Sequence, residues 1–121
     1  MRTYDTDGHY SDLVKLGNGS FKLSGIKAWE GTEIKGKNIS DQFEIIVDHL
    51  KRTLKASELR TSDITFVQIH LADLGCYSEF NKCYSAFFPH KPARAVVGSK
   101  LRQGALVEAI FEGFSEEVTN G

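Results

Sequence analysis

The sequence has few of the residues that build metal-bound or covalently linked frameworks. Two cysteines and two prolines occur in 121 residues. The spacing of Cys76 and Cys83 matches no zinc motif, and the four histidines are scattered. The sequence therefore predicts neither a metal site nor a cofactor bound through these side chains. The two thiols are interpreted as small packed side chains or as surface side chains without a function. A reduced, cytoplasmic protein is the simplest interpretation.

An excess of charge of one sign and a long apolar segment are also lacking. The formal net charge is -1, and charges of both signs are mixed along the chain without a basic block. This pattern argues against a nucleic-acid partner and against a charged membrane-binding surface. No apolar run approaches the ~20 residues of a membrane span, and the first residues lack the apolar core of a signal peptide. We therefore expect no membrane association.

The length and composition are typical of one globular domain. With 40% hydrophobic residues, the chain of 121 residues is long enough to bury about two-thirds of its unfolded surface. We interpret residues 1–121 as a single domain with a polar arm at residues 1–9 and a polar tail at residues 115–121.

The first half of the chain predicts a hairpin and a helix. Residues 14–16 and 21–29 have strand character and are joined by Gly17-Asn18-Gly19, a strong hairpin signal. A loop is predicted over residues 30–37. Residues 40–54 show apolar positions at helical spacing, and we expect Ser40 to cap that helix.

The second half predicts a central strand, a second helix and a final pair of strands. Residues 64–71 form an apolar run, and residues 77–88 form a helical stripe that Pro89 ends. Residues 93–97 and 105–114 are predicted as strands. The order β-β-α-β-α-β-β predicts a mixed sheet with both helices on one face. The other face would be apolar and covered by a further subunit, which favours a symmetric oligomer.

Two charged residues on the last strands define the functional question. Arg94 follows Pro92-Ala93 at the start of one strand, and Glu108 lies inside an apolar run. A guanidinium matches a carboxylate with two parallel hydrogen bonds, and a glutamate takes or gives a proton. If the two strands are neighbours, the two side chains either pair with each other or face a ligand together.

A set of short motifs carries a resemblance to a known family. The motifs are Leu71-Ala72-Asp73-Leu74, Phe80-Asn81, Tyr84, Phe87-Phe88, Pro92-Ala93-Arg94 and Leu106-Val107-Glu108, with a looser match at Tyr10, Leu16-Gly17-Asn18 and Ser24-Gly25. In order and spacing they resemble the Rid, or YjgF-like, family of enamine and imine deaminases. The resemblance extends from about Tyr10 to Phe114.

The resemblance implies a chorismate-mutase-like α+β fold that assembles as a homotrimer with ligand clefts between subunits. It implies hydrolysis of 2-imino or enamine acids to 2-keto acids and ammonia, without a cofactor. Arg94 would hold the substrate carboxylate and Glu108 would position water. Three side chains and one stretch of backbone would line the cleft: Tyr10, Ser24, Asn81 and the backbone of Val96, where many members have cysteine.

Two other hypotheses stay open at this point. The chain is alternatively a regulatory trimer that binds 2-keto acids without turnover, or a Rid-like domain of a larger protein such as a diphthine–ammonia ligase. A ribonuclease role, attached to some relatives, has little support in a chain of net charge -1 without a basic aromatic patch.

Overall fold

A six-stranded sheet is the main element of the computed structural model, which describes residues 1–4 and 8–116. The strands are β1 (Arg2–Tyr4), β2 (Leu13–Lys15), β3 (Ser20–Leu23), β6 (Ile64–Leu71), β7 (Ala93–Gly98) and β8 (Val107–Phe114). Their spatial order is β1-β2-β3-β8-β6-β7, and β6 runs parallel to β7 while the other neighbours are antiparallel. A separate hairpin joins β4 (Trp29–Glu30) to β5 (Glu33–Ile34).

Two α-helices accompany the sheet, α1 (Ile39–Ala56) and α2 (Tyr77–Tyr84). Single 3-10 turns at Thr61–Asp63 and Leu74–Cys76 precede β6 and α2. The prediction of an α+β fold with a mixed sheet and two helices is confirmed. Neither described helix is long and apolar enough to cross a membrane.

The cap of α1 differs from the sequence prediction. Asn38, in extended conformation, accepts a hydrogen bond from the Asp41 amide at 2.8 Å, and Ser40 lies inside the first turn. The prediction of Ser40 as the cap was therefore wrong, because the side-chain oxygen of Asn38 accepts the hydrogen bond from the free N–H group of Asp41 in the first turn. The apolar stripe is buried as expected: Phe43, Ile46, Val47, Leu50 and Leu54.

The second helix is shorter than predicted and ends before Pro89. It ends at Tyr84. The residues that follow form a tighter turn, in which the Phe87 N–H group donates a hydrogen bond to Tyr84 O. The Ser85 hydroxyl also bonds Asn81 O at 3.0 Å, which occupies a carbonyl of the last turn. Phe88 remains buried against the core although it lies outside the helix.

The N-terminal third contains more strands than predicted. Arg2–Tyr4 pairs with β2 rather than forming an arm, and the predicted strand over residues 21–29 ends at Leu23. The predicted loop over residues 30–37 contains the β4–β5 hairpin. Parts of the predicted arm and tail, residues 5–7 and 117–121, lie outside the described residues.

The central strand β6 separates a buried face from a mixed face. Val67, Ile69 and Leu71 are fully buried toward the helices, whereas Gln68 and His70 are half-buried on the other side. Strand neighbours point to opposite faces, so one sheet face forms the core and the other alternates polar and apolar residues. The expectation of an apolar open face was therefore wrong.

Gln42 ties α1 to two loops. Its side chain is 2% exposed. Its amide nitrogen donates to Gly36 O and Gly104 O at 3.2 Å each, and its amide oxygen accepts from the Leu106 amide at 2.8 Å. Since buried polar groups are stable only when they are paired, this glutamine fixes the loop before α1 and the loop before β8.

Replacing Gln42 by leucine should destabilise the protein by about 2–3 kcal/mol, because the Leu106 amide and two carbonyls lose their partner in a buried site. Urea unfolding followed by circular dichroism measures the change in the free energy of unfolding. Glu44→Leu, at an exposed position of the same helix, is the control. An equal effect of both substitutions would contradict the role assigned to Gln42.

Candidate functional site

Arg94 lies on the helix-covered face of the sheet. On the edge strand β7 it is in register with the buried Val67 of β6. Its guanidinium carbon lies 4.7 Å from the ring centroid of Tyr84, 5.8 Å from that of Tyr77 and 6.0 Å from that of Phe80. One guanidinium nitrogen donates to the Tyr77 hydroxyl at 3.3 Å. The guanidinium is therefore held mainly by the faces of aromatic rings.

Glu108 lies on the opposite face. On β8 it is in register with His70, and its neighbours Val107 and Ala109 point into the core. The ammonium of Lys27 lies 3.4 Å from Glu108 Oε2, and the two side chains are only 16% and 23% exposed. The carboxylate also approaches the backbone of Gly25 so closely that an added Cβ would lie 3.0 Å from Oε2. Glu108 is therefore an ion-paired carboxylate in a confined place.

Arg94 and Glu108 do not lie on neighbouring strands, and that premise of the sequence analysis was wrong. Strand β6 separates β7 from β8. Arg94 is level with Val67 and Glu108 with His70, three residues further along β6. With strands about 4.8 Å apart and about 3.3 Å per residue, their Cα atoms are about 14 Å apart. Because their side chains also point to opposite faces, the two cannot pair within one chain.

The remaining predicted site residues divide between these two places. Asn81 lies on α2 directly after Phe80, and Val96, two residues after Arg94, packs against the core. Ser24 precedes Gly25, and its hydroxyl donates to Ser11 O at 2.7 Å, next to the exposed Tyr10. We call the first group the Arg94 cluster (Arg94, Asn81, Val96, Tyr77, Phe80 and Tyr84) and the second the Glu108 cluster (Glu108, Lys27, Gly25, Ser24 and Tyr10).

The sequence analysis assigned no role to five members of these clusters: Gly25, Lys27, Tyr77, Phe80 and Tyr84. Lys27 follows the Ser24-Gly25 pair by two residues, but no sequence signal relates it to a glutamate 81 positions later. Tyr77 and Tyr84 each lie three or four residues, about one turn of α2, from Phe80 and Asn81, so helical periodicity indicates a shared face. It did not indicate that this face would hold a guanidinium.

Burial controls the ionisation of two side chains of α2. It raises the pKa of the Tyr84 phenol, and the nearby Arg94 guanidinium opposes this only partly. Burial also raises the pKa of Cys83, whose thiol donates to Phe80 O at 3.1 Å. Tyr84 is therefore a neutral hydroxyl at physiological pH, and Cys83 is a packed thiol rather than a reactive thiolate.

Other parts of the surface offer less chemistry. Within residues 1–4 and 8–116 the His, Cys, Asp and Glu side chains form no group with the arrangement of a metal site. A cavity of about 640 Å³ lies between α1 and the β4–β5 hairpin, where His49 contacts Trp29 O and Arg52. None of its lining residues belongs to the Arg94 or Glu108 cluster.

A family model described as Endoribonuclease L-PSP matches residues 2–110. The chain belongs to this family, which includes the YjgF/Rid and RutC proteins. It is 33% identical over 104 residues to a RutC family protein of Saccharolobus solfataricus, covering 84% of this chain and 82% of that protein. It is 33% identical over 89 residues to protein HMF1 of Saccharomyces cerevisiae, covering 73% and 69%. The resemblance to the Rid family is thus confirmed.

Solved structures of YjgF/Rid-family proteins have the same fold. Yeast Mmf1 superimposes with a TM-score of 0.84 at 27% identity, over 92% of this chain and 90% of that one. A YjgF protein from Neisseria meningitidis gives a TM-score of 0.84 at 25% identity, over 96% and 95%. The six-stranded sheet with two helices is therefore the fold of this family.

The Lys27–Glu108 pair should contribute measurably to stability. Since both side chains are largely buried, a double-mutant cycle of Lys27→Met and Glu108→Gln should give a coupling free energy of about 1 kcal/mol. Urea unfolding of the four proteins provides the measurement. The exposed pair of Lys35 and Glu33, at 2.9 Å, is the control and should couple more weakly. Equal coupling in both pairs would contradict the confinement of Glu108.

Proposed function

We propose that the protein hydrolyses 2-imino or enamine acids to 2-keto acids and ammonia. The observation that carries this proposal is the presence of two clusters, the Arg94 cluster with its guanidinium and the Glu108 cluster with its carboxylate. A 2-imino acid has a carboxylate next to an electrophilic C=N carbon, so it needs a cation to hold it and a base to direct water. Membership of the YjgF/Rid family supports the same assignment.

Arg94 has the properties of a carboxylate anchor. Its guanidinium is seated on ring faces, and the one hydrogen bond to Tyr77 leaves most of its N–H groups for a ligand. A charge-assisted pair with the substrate carboxylate would contribute about 1.5–3 kcal/mol of binding. It would also fix the position of the neighbouring C=N carbon.

Glu108 has the properties of the group that directs water. As a carboxylate beside Lys27, it accepts a proton from water while the water oxygen bonds to the C=N carbon of the protonated imine, whose nitrogen becomes a neutral amine. The Glu108 carboxyl then returns this proton to the amine. The C–N bond breaks as the hydroxyl oxygen forms the C=O bond and gives its own proton to the Glu108 carboxylate, and the departing ammonia takes up that proton to leave the 2-keto acid. A positioned base of this kind contributes about 10²–10⁴-fold to the rate.

The site requires more than one copy of the chain. Because the two clusters lie on opposite faces, one ligand contacts both only when the Arg94 cluster of one subunit meets the Glu108 cluster of the next. A contact between two different patches is heterologous, and it forms a closed ring when the rotation between subunits is a whole fraction of a turn. The family resemblance predicts a ring of three, and the mixed open face of the sheet supplies both polar and apolar residues for the contact. We therefore propose a homotrimer.

One observation favours a second function, binding of 2-keto acids without turnover. The ion pair with Lys27 competes with water for the Glu108 carboxylate. If this pair persists when the ligand binds, Arg94 still holds the carboxylate but no base directs water. The protein would then act as a regulatory binding module.

Turnover distinguishes these two functions. With freshly generated 2-iminopropionate, wild type should release ammonia well above the uncatalysed rate. Arg94→Ala should reduce kcat/KM by about 10–100-fold, because the charge-assisted contact is lost. Glu108→Gln should reduce kcat by about 10²-fold or more, because the amide cannot accept a proton. A coupled ammonia assay provides the rates.

Lys55→Ala is the control, since Lys55 is exposed in the last turn of α1 and belongs neither to the two clusters nor to the open face of the sheet. It should keep the wild-type rate. Binding of 2-ketobutyrate that survives Glu108→Gln, without turnover in wild type, would support the binding module instead. Salt-sensitive cleavage of RNA would support the activity named in the family description.

The assembly is tested by light scattering. A homotrimer should have about three times the mass of the 13.5 kDa chain. A monomer at micromolar concentration would contradict the shared site, because one chain keeps Arg94 and Glu108 on opposite faces.

A further inference from the structure

Two buried polar atoms lack a hydrogen-bond partner, and both lie in the Arg94 cluster. Among the described residues, Asn81 Oδ1 and the Tyr84 hydroxyl are the side-chain atoms in this condition. They are one turn apart on α2. Because native proteins pair nearly all buried polar groups, a concentration of two at one place requires an explanation. A ligand that binds there provides one.

We propose that Tyr84 is a further substrate-binding residue, with its ring seating the Arg94 guanidinium and its hydroxyl donating to the substrate carboxylate. This proposal rests on the function proposed above and adds a second contact to the same carboxylate. The sequence resemblance assigned the carboxylate to Arg94 alone.

The ring of Tyr84 is the closest of the three that surround Arg94. The guanidinium carbon is 4.7 Å from its centroid, within the distance at which a ring face attracts a cation. Tyr84 is itself fixed between Phe43, Phe80 and Phe88, with centroids 5.0–5.9 Å away. The guanidinium therefore rests on a surface that the core holds in place.

The hydroxyl of Tyr84 keeps its proton and has no partner to receive it. The side chain is 7% exposed, and burial raises the pKa of the phenol above its usual value. A neutral phenol donates to a carboxylate oxygen, whereas a phenolate would repel it. The hydroxyl is covered, so the side chains over it have to move when the carboxylate enters, while the guanidinium stays on the ring face.

The ligand class follows from the two unpaired atoms. The Tyr84 hydroxyl supplies a donor for a carboxylate, and Asn81 Oδ1 supplies an acceptor for an N–H group. A 2-imino acid carries the carboxylate and the imine N–H on adjacent carbons. Since both protein atoms are enclosed, the cluster favours small 2-imino acids over substrates with a bulky group near the carboxylate.

Tyr84→Phe separates binding from packing, because it keeps the ring and removes only the hydroxyl. We expect 2-ketobutyrate to bind about tenfold more weakly by calorimetry, as one hydrogen bond to a charged group is lost. The melting temperature should stay the same or rise, because a buried unpaired group has been removed. A purely structural role would change the melting temperature without changing the affinity.

Tyr4→Phe is the matched control. Tyr4 also lies beside cationic side chains, Arg2 and Lys15, but on the distant strand β1. It should leave the affinity unchanged. Equal affinities of Tyr84→Phe and wild type for 2-ketobutyrate would overturn the proposal, and so would absence of binding to wild type.

The result is independent of turnover. If wild type binds 2-ketobutyrate and the affinity falls in Tyr84→Phe, the proposal stands even when 2-iminopropionate is not hydrolysed, and only the proposed deaminase fails. If wild type hydrolyses the imine and Tyr84→Phe binds and reacts like wild type, only the role of Tyr84 is overturned.

Discussion

The pairing of β6 with both of its neighbours is the constraint on which the site depends. Val67 and His70 belong to the same strand but point to opposite faces, and they fix the register of Arg94 on β7 and Glu108 on β8. A strand has only two faces, so a shift of three residues reverses the direction of the side chain. The cation and the carboxylate are therefore separated by the sheet itself.

Each charged residue has a partner suited to its face. Arg94 meets the aromatic rings of α2 because the helix covers that face. Glu108 meets Lys27 because the chain after β3 stays beside β8, where Ile26 pairs with Ala109. In both cases a charge is placed in a partly buried position and stabilised by a neighbour from a different element. The chain therefore holds two charged clusters, each fixed by its own neighbours, which the proposed function treats as the two halves of one site.

The sequence predicted most of the core elements because their apolar periodicity is strong. The strand over residues 64–71 and the buried stripe of α1 are confirmed. It did not predict that β6 lies between β7 and β8, since strand order depends on long-range pairing and leaves no local pattern. The pair of Lys27 and Glu108 was missed for the same reason. The pattern of the last strands singled out Arg94 and Glu108, and the motif resemblance implied their roles. Their division between two faces follows from the strand order, which no local pattern shows.

The most direct test of the divided site is complementation between two inactive variants. Arg94→Ala and Glu108→Gln chains are unfolded, mixed in equal amounts and refolded, and ammonia release is measured. A site built from two subunits is intact when the first contributes Arg94 and the second Glu108, so about one quarter of wild-type activity should return. If mixed oligomers form, as native mass spectrometry would show, and activity stays at the level of the separate variants, the two clusters do not form one site.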